Sequence, residues 1–142
     1  MRLVSPGMSS GAQELERDDP WGGAFGAALA VRAGDFVFTT ALGGVTSMDE
    51  GVPRFAATFD EQLRLVGEHV RTRLDRLDCT AADIVDATVW LHPSVKIDPG
   101  QLLDELQLHV FSGRAPAISI MRAATVFDES LVSVKVIAFK PR

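Results

Sequence analysis

The sequence has few of the residues from which disulfide bonds and metal sites are built. It contains one cysteine, Cys79, and three histidines, His69, His92 and His109. A single cysteine cannot form a disulfide bond within the chain, and the three histidines do not have the spacing of a zinc site. We therefore predict no metal and no other cofactor. Because Cys79 falls between a predicted helix and a predicted strand, a structural role is favoured over a reactive thiol.

Long apolar runs and an excess of basic residues are also absent. The uninterrupted apolar runs are far shorter than the ~20 residues that cross a bilayer, and residues 1–20 lack the apolar stretch of a signal peptide. The chain has 14 basic and 19 acidic residues, for a net charge of -5. Phosphate binding needs clustered lysine and arginine. We therefore predict a cytoplasmic protein with neither a membrane nor a nucleic acid as partner.

The size of the chain limits the number of domains. Its 142 residues, 46% of them hydrophobic, are enough for one compact domain and not for two. Residues 1–19 are rich in serine, glycine and charge and show no periodicity, so we expect a mobile N-terminal arm. The single domain then covers residues 20–142.

The first strands are predicted from alternation around a tight glycine turn. Residues 28–32 and 35–40 flank this turn and have the pattern of a hairpin. The second strand is apolar on both faces, with Phe36 and Phe38 on one side and Val37 on the other. Both sides of the sheet should therefore be covered near it.

Helical periodicity is strongest over residues 55–77, where large apolar residues recur at spacings of four and three. These residues are Phe55, Phe59, Leu63, Val66, Val70, Leu74 and Leu77. A second amphipathic helix is predicted after Asp98-Pro99-Gly100, ending at Ser112-Gly113. Its buried side is expected to carry Leu103, Leu106 and Val110 or Phe111. Residues 41–54 are predicted to be a loop, and β-branched or alternating residues predict further strands at 84–91, 118–121 and 131–139.

The predicted order β-β-α-β-α-β-β indicates an α+β fold, with two helices packed on one face of a mainly antiparallel sheet. Two helices cover only one face, whereas several strands look apolar on both. We therefore expect the second face to meet another subunit, and a small ligand to bind in a cleft between subunits. A monomer with one solvated sheet face is the competing interpretation.

The C-terminal third of the chain resembles the signature of the Rid/YjgF family. The segment from Arg114 to Met121 contains a Pro-Ala step. This step is followed some fifteen residues later by the alternating strand predicted at residues 131–139. The resemblance extends over residues 20–139. Earlier matching segments are Pro20-Trp21, Gln62 at the head of the long helix, Asp83 before the third strand, and Asp104-Glu105-Leu106 in the second helix. It implies the mixed, mainly antiparallel YjgF fold (chorismate-mutase-like) and a homotrimer whose sheets form a barrel, with pockets at the subunit interfaces.

The family's deaminase chemistry does not transfer to this chain. Family deaminases hold a substrate carboxylate with an arginine directly after Pro-Ala, a bidentate contact that Ile118 cannot make. The resemblance aligns Ser133 with the glutamate that is thought to position the hydrolytic water, and a serine offers no carboxylate base. The family's serine of a Ser-Gly pair aligns with Thr40 and its second-helix asparagine with Asp104. We therefore do not expect the usual 2-iminoacid deaminase reaction.

The candidate site residues follow from this alignment and from the predicted pocket. Asp104 and Ser133 are the candidate catalytic residues. The candidate ligand-binding residues are Thr40, Trp90, Arg114, Ile118, Ser119 and Ile120. Strand alternation places Ile118 and Ile120 on one face and Ser119 on the other, so these residues cannot all line one cavity. Packing is the alternative role for Trp90, Ile118 and Ile120, and a solvated surface position is the alternative for Asp104 and Arg114.

Two functional hypotheses remain. In the first, the chain is an enzyme, a hydrolase or a lyase/cyclase, that acts on a small imine, enamine or keto metabolite of a biosynthetic pathway in a subunit-interface pocket. In the second, it is a non-catalytic trimer that binds a small molecule and sequesters or senses it. The substitutions at residues 118 and 133 fit a changed substrate as well as a lost activity.

Overall fold

A computed structural model describes residues 2–3, 13–16 and 29–141. The strands are β1 (Arg2–Leu3), β2 (Gln13–Glu16), β3 (Ala30–Ala33), β4 (Phe36–Thr39), β5 (Leu42–Gly43), β6 (Val45–Asp49), β7 (Val52–Phe55), β8 (Ile84–Leu91), β9 (Ala117–Arg122) and β10 (Val132–Phe139). The helices are α1 (Phe59–Asp75) and α2 (Pro99–Leu106). A short 3-10 turn (Ala81–Asp83) precedes β8, and a π-helical turn (Gln107–Phe111) extends α2.

The larger sheet has the strand order β1-β2-β3-β4-β10-β8-β9, and β5 also pairs with β10. Only β8 and β9 run parallel, whereas the other described pairs in this sheet are antiparallel. With two helices packed on a mixed, mainly antiparallel sheet, the fold is α+β, as predicted. The predicted N-terminal arm lies mostly outside the described residues and stays a prediction; β1 and β2 fall within its span.

Helix α1 forms because its apolar residues fall on one stripe. Leu63, Val66, Val70 and Leu74 are completely buried, and the side chain of Thr58 caps the helix by accepting a hydrogen bond from the Glu61 backbone N–H at 3.2 Å. The prediction was wrong at both ends, since Phe55 belongs to β7 and Leu77 follows the end of the helix. The stripe packs on buried strand residues such as Val89 and Val134 to form the core.

The prediction of a loop over residues 41–54 was wrong. This segment contains β5 and an antiparallel hairpin, β6–β7. Its turn residues Glu50 and Gly51 have φ values of 50° and 80°, and a two-residue type I′ hairpin turn needs two left-handed residues of this kind. The glycines and Pro53 are typical of loops, and a two-stranded hairpin outside the main sheet has no strong apolar alternation that would indicate strands.

The buried side of the second helix also differs from the prediction. Leu102 is buried, whereas Leu103 is 41% exposed. The buried residues Leu102, Leu106 and Val110 are each four apart, and the π-helical turn keeps Val110 and Phe111 in the core. The helix ends as predicted, at Ser112 and Gly113, which both have positive φ values.

The sheet face opposite the helices is called the open face. Cross-strand pairing places Phe36 and Phe38 of β4 and Phe139 of β10 on this face. The Phe36 ring centroid lies 6.2 Å from that of Phe38 and 5.1 Å from that of Phe139, and each ring is about two-fifths exposed. The described residues of one chain therefore leave this side of β4 partly exposed. Covering by a second subunit stays a prediction.

Candidate functional site

A cavity of about 550 Å³ lies among the end of β4, the β6–β7 hairpin, helix α1 and the loop between β9 and β10. Most of its wall is apolar. The apolar side chains include Leu42, Val45, Met48, Phe55 and Phe127, and the polar ones are Thr40, His69, Arg73, Thr125, Ser130 and Ser133. Among the described residues that line it, none is aspartate or glutamate. Its size and lining are those of a small-molecule site.

The cavity opens where the partner of β10 in the sheet changes from β4 to β5. Strand β10 pairs with β4 at Ile137–Phe139 and with β5 at Ser133–Val134. Between these two stretches, the Thr39 hydroxyl accepts a hydrogen bond from the Val136 backbone N–H at 3.0 Å and donates one to the Thr40 carbonyl at 2.8 Å. The side chain therefore bridges the break in the ladder. Thr40 and Ala41, which lie in the break, line the cavity.

Two serine hydroxyls form part of the wall. The oxygens of Ser130 and Ser133 are 3.1 Å apart, and Ser130 also contacts the Val132 carbonyl at 3.4 Å. Both serines are at least 95% buried. Gly43 leaves room for this pair, because a Cβ atom there would lie 3.2 Å from the Ser130 oxygen and 3.5 Å from the Ser133 oxygen.

Helix α1 contributes two basic side chains that are one turn apart. His69 Nε2 lies 2.8 Å from the Val45 carbonyl. A carbonyl can only accept, so Nε2 carries the hydrogen. Arg73 is only 3% exposed and lines the cavity. Since an arginine stays protonated in proteins, it places a buried positive charge in a mainly apolar wall.

The loop between β9 and β10, residues 123–131, is held at its end by Gln62. The Gln62 Nε2 group donates hydrogen bonds to the carbonyls of Ala56 and Glu129, both at 2.9 Å. Its Oε1 atom accepts one from the Leu131 backbone N–H at 2.8 Å. Val126, in the same loop, is 92% exposed and lies at the cavity. The anchored loop end thus supports an exposed rim.

A second contact to this loop brings together a serine, a histidine and an aspartate. His92 Nε2 lies 2.9 Å from a carboxylate oxygen of Asp128, and its Nδ1 lies 2.7 Å from the Ser94 hydroxyl. Asp128 is 91% exposed at its side chain, and none of the three residues lines the cavity. We assign this cluster to positioning the loop. No local pattern indicates this cluster, since 36 residues separate His92 from Asp128.

Two of the predicted site residues line the cavity, Ser133 and Thr40. Trp90 is the cross-strand partner of Ser133 on β8 but does not line it. Ile118 and Ile120 lie on the helix side of the sheet, as partners of Ala87 and Val89, and Ile118 packs against the core.

The other predicted site residues are Ser119, Asp104 and Arg114. Ser119 pairs with Thr88, on the face opposite to its neighbours Ile118 and Ile120, so the predicted alternation is confirmed. Asp104 is exposed on α2, and Arg114 is exposed after the π-helical turn. These residues, with Trp90, Ile118 and Ile120, do not line the cavity of one chain. Their role in a pocket between subunits stays a prediction.

Sequence reasoning missed His69 and Arg73. Arg73 had a signal, because it lies three residues after Val70 and four before Leu77, on the apolar stripe of the helix. A basic residue at such a position is buried once the stripe packs. His69 and the hairpin side chains had no comparable signal, since the hairpin itself was not predicted.

Cys79 lies away from the cavity, in the core. It is 2% exposed, and a guanidinium nitrogen of Arg32 lies 3.4 Å from its sulfur. Burial raises the pKa of the Cys79 thiol above its ordinary value, although the neighbouring Arg32 lowers it. A protonated, buried thiol supports the predicted structural role.

Within the described part of the chain, no group of three or more His, Cys, Asp or Glu side chains could hold a metal ion. Over the same residues, no helix combines the length and the apolar character that crossing a membrane requires.

Comparison with known proteins gives likeness in structure alone. No protein-family model matches the sequence, and no curated protein matches it. A YjgF/YER057c/UK114 family protein from Mycobacterium tuberculosis superposes with a TM-score of 0.71 at 18% identity, covering 90% of this chain and 99% of that one. A YjgF family protein from Neisseria meningitidis superposes with a TM-score of 0.68 at 20% identity, covering 94% of this chain and 99% of that one. RidA from an Antarctic Psychrobacter superposes with a TM-score of 0.64 at 20% identity, covering 79% of this chain and 86% of that one. These chains share one fold.

Proposed function

We propose that this chain, which has the YjgF fold its sequence predicts, is a divergent member of the Rid/YjgF family that binds a small, mainly apolar metabolite. The observation that carries the proposal is the cavity of about 550 Å³ in one chain. Thr40 and Ser133, at positions that the family resemblance assigns to ligand contact and catalysis, both line it. An apolar wall with a few polar groups is suited to one small organic ligand.

The usual 2-iminoacid deaminase reaction is not part of this proposal. Ile118 replaces the substrate-binding arginine, and it packs against the core on the helix side of the sheet. Ser133 replaces the glutamate. Among the described residues that line the cavity there is no carboxylate that could act as a base on water.

A second candidate function is catalysis on an imine, enamine or keto compound, as a hydrolase or a lyase/cyclase. The observation that favours it is the set of proton-carrying groups in the wall, the Ser130–Ser133 pair and His69. Such groups can hydrogen-bond a carbonyl or an imine nitrogen and move a proton. Turnover of these compounds, and its loss in Ser133→Ala, would favour catalysis over binding alone.

We also propose that the protein assembles as a homotrimer through the open face. Three phenylalanine rings, Phe36, Phe38 and Phe139, form a contiguous exposed group there. An exposed apolar group of this kind is typical of a surface that another chain covers. The predicted pockets between subunits, with Asp104, Trp90 and Arg114, depend on this assembly.

The binding proposal is tested by filling the cavity. Met48 of β6 lines it, whereas Val52, across the same hairpin, is 53% exposed and does not. We expect 4-phenylbutanol, an uncharged apolar probe, to bind the wild type in calorimetric titration. Met48→Trp should weaken binding about tenfold or more, a change of about 1.4 kcal/mol, and Val52→Trp should leave it unchanged. Equal effects of the two substitutions, or no binding to the wild type, would contradict the proposal.

A further inference from the structure

We infer that the ligand of the cavity carries an O–H or N–H group and that the side-chain oxygen of Ser133 accepts a hydrogen bond from it. The inference rests on the proposed function, because it names the class of molecule that the same cavity binds. The family resemblance aligns Ser133 with a glutamate that is thought to position water, and a direct contact to the ligand is a different role. Among the imine, enamine and keto compounds considered above, an N–H imine or a primary enamine carries such a group, whereas a ketone does not.

The protons of the two serines in the wall have acceptors within the protein. A carbonyl only accepts, so the Ser130 hydroxyl donates to the Val132 carbonyl, at 3.4 Å. Ser130 has a single proton, so Ser133 is the donor in the 3.1 Å contact between the two hydroxyls. Within the described part of the chain, this is the only side-chain hydrogen bond of Ser133. Its oxygen therefore keeps two lone pairs that can accept.

The Ser133 oxygen is buried but can be reached from the cavity. Ser133 is 5% exposed, so bulk water satisfies this acceptor poorly. Gly43 keeps space open beside it, because a Cβ atom there would lie 3.5 Å from the Ser133 oxygen and 3.3 Å from a Phe55 ring carbon. All three residues line the cavity. A ligand in this space would contact a hydrogen-bond acceptor and an aromatic ring together.

The donor groups of the described wall are already in use. The Nε2 group of His69 donates to a backbone carbonyl at 2.8 Å, and the Thr125 hydroxyl donates to another at 3.1 Å. Arg73 also has an interaction partner, and the Thr40 hydroxyl belongs to an exposed, solvated residue. A ligand group that only accepts would therefore have to replace an existing bond. A ligand group that donates to Ser133 leaves all of these bonds in place.

The test compares 4-phenylbutanol with 4-phenylbutyl methyl ether, in which a methyl group replaces the hydroxyl proton. Both probes are titrated calorimetrically into the full-length protein at pH 7. Ser133→Ala should weaken binding of the alcohol about fivefold, the contribution of one neutral hydrogen bond, and leave that of the ether within about twofold. The size of the methyl group cancels in this comparison, because each probe is compared between two proteins. Ser47→Ala, at an exposed position of β6 outside the cavity, is the matched control and should bind both probes as the wild type does.

A second variant, Ser130→Ala, should act in the opposite direction. Without the Ser130 oxygen, the Ser133 proton loses its acceptor and becomes available to the ligand. The ether, which only accepts, should then bind about fivefold more tightly than it binds to the wild type. The alcohol can accept as well as donate, so its affinity should change by less than about twofold. A purely structural role of the serine pair would instead weaken both probes in both variants.

The outcomes separate the inference from the proposed function. If Ser133→Ala weakens both probes by the same factor, or leaves both unchanged, the inference is wrong while binding in the cavity stands. If neither probe binds the wild type at millimolar concentration, both are wrong. Should Ser133→Ala fail to fold, the response of the ether to Ser130→Ala decides: a gain supports the inference, and an unchanged or lower affinity contradicts it.

Discussion

A single buried side chain, Gln62, satisfies three backbone groups from two separate segments. It joins the end of β7, through Ala56, to the loop of residues 123–131, through Glu129 and Leu131. Gln62 is 1% exposed, so water does not replace these bonds when the amide is removed. The polar residue at the head of the long helix therefore has a clear structural role.

We expect Gln62→Leu to lower the free energy of unfolding by about 2–4 kcal/mol, because buried groups that lose their partners cost about 1–3 kcal/mol each. Urea denaturation measures the change. Gln101→Leu, at an exposed position of α2, is the control and should shift stability by less than about 0.5 kcal/mol. Similar losses in the two variants would contradict the role given to Gln62.

Cys79 gives the protein a defined dependence on pH. Burial raises the thiol pKa in the folded state above its ordinary value of 9.0, so the unfolded chain loses this proton first as the pH rises. The contribution of the protonated thiol to stability is complete below that value and is lost above it.

Stability of the wild type should therefore fall relative to Cys79→Ser between pH 9 and 10, by at most about 1.4 kcal/mol per pH unit. Urea denaturation at several pH values provides the comparison, in which the other titrating groups cancel. A constant difference between the two proteins over this range would show that the thiol pKa is not raised.

At the scale of elements, helix α1 approaches the π-helical turn closely at Gly67. A Cβ atom at this position would lie 1.9 Å from the His109 carbonyl oxygen and 2.9 Å from its carbon. Both neighbours are backbone atoms, so neither can rotate away. The glycine is thus required by packing rather than by its own conformation.

Replacing Gly67 with alanine tests this contact through the sign of the effect. In an exposed helix the change would add about 1 kcal/mol of stability, but here we expect a loss of about 1–3 kcal/mol from overpacking. Thermal or urea unfolding gives the sign. Glu68→Ala, at the next and exposed position, should change stability by less than about 1 kcal/mol. A more stable Gly67→Ala would disprove the close approach.

How well an element could be predicted depended on how much of it packs in the core. The stripe of α1 was predicted from Phe59 to Leu74, because burial requires regular spacing. The β6–β7 hairpin was missed, since it packs beside the main sheet and its Gly51 and Pro53 resemble loop residues. Leu103 was predicted in the core in place of Leu102, because leucines three and four residues before Leu106 both fit a helical stripe.

At the scale of the whole molecule, the open face carries the prediction of assembly. The exposed phenylalanines on β4 and β10 lie on the side opposite to the helices. Covering these rings in a trimer would remove apolar area from water. A charge placed among them would have to be buried without a partner, which would weaken the assembly. The helix side has its own exposed apolar residue, Leu108, at 72%.

We expect the wild type and Leu108→Lys to have the mass of three chains in light scattering after gel filtration, and Phe38→Lys to have a lower mass. Leu108 is the more exposed of the two residues, so exposure alone does not predict this difference. Loss of assembly in Leu108→Lys with none in Phe38→Lys would place the interface on the helix side. A single-chain mass for all three proteins would contradict the trimer.

The fold could be predicted further than the site. Strand alternation and the helical stripe are local patterns, and together with the resemblance they led to the α+β YjgF fold. The cavity combines side chains from β5, β6, β7, α1 and the loop of residues 123–131. Thr40 and Ser133 were reached through the resemblance. Arg73 and Met48 line the cavity because α1 and the β6–β7 hairpin pack close together. Local sequence patterns do not indicate this tertiary contact.

Methionine methyl NMR tests ligand binding in the cavity most directly. The chain has four methionines, Met1, Met8, Met48 and Met121. Met48 lines the cavity, whereas Met121 does not and pairs with Trp90 on the open face. During titration of ¹³C-methyl-labelled protein with 4-phenylbutanol and then 4-phenylbutyl methyl ether, we predict that the Met48 signal shifts and the Met121 signal stays in place. A Met48 signal that neither probe moves, or a shift of Met121 alone, would contradict binding in the cavity.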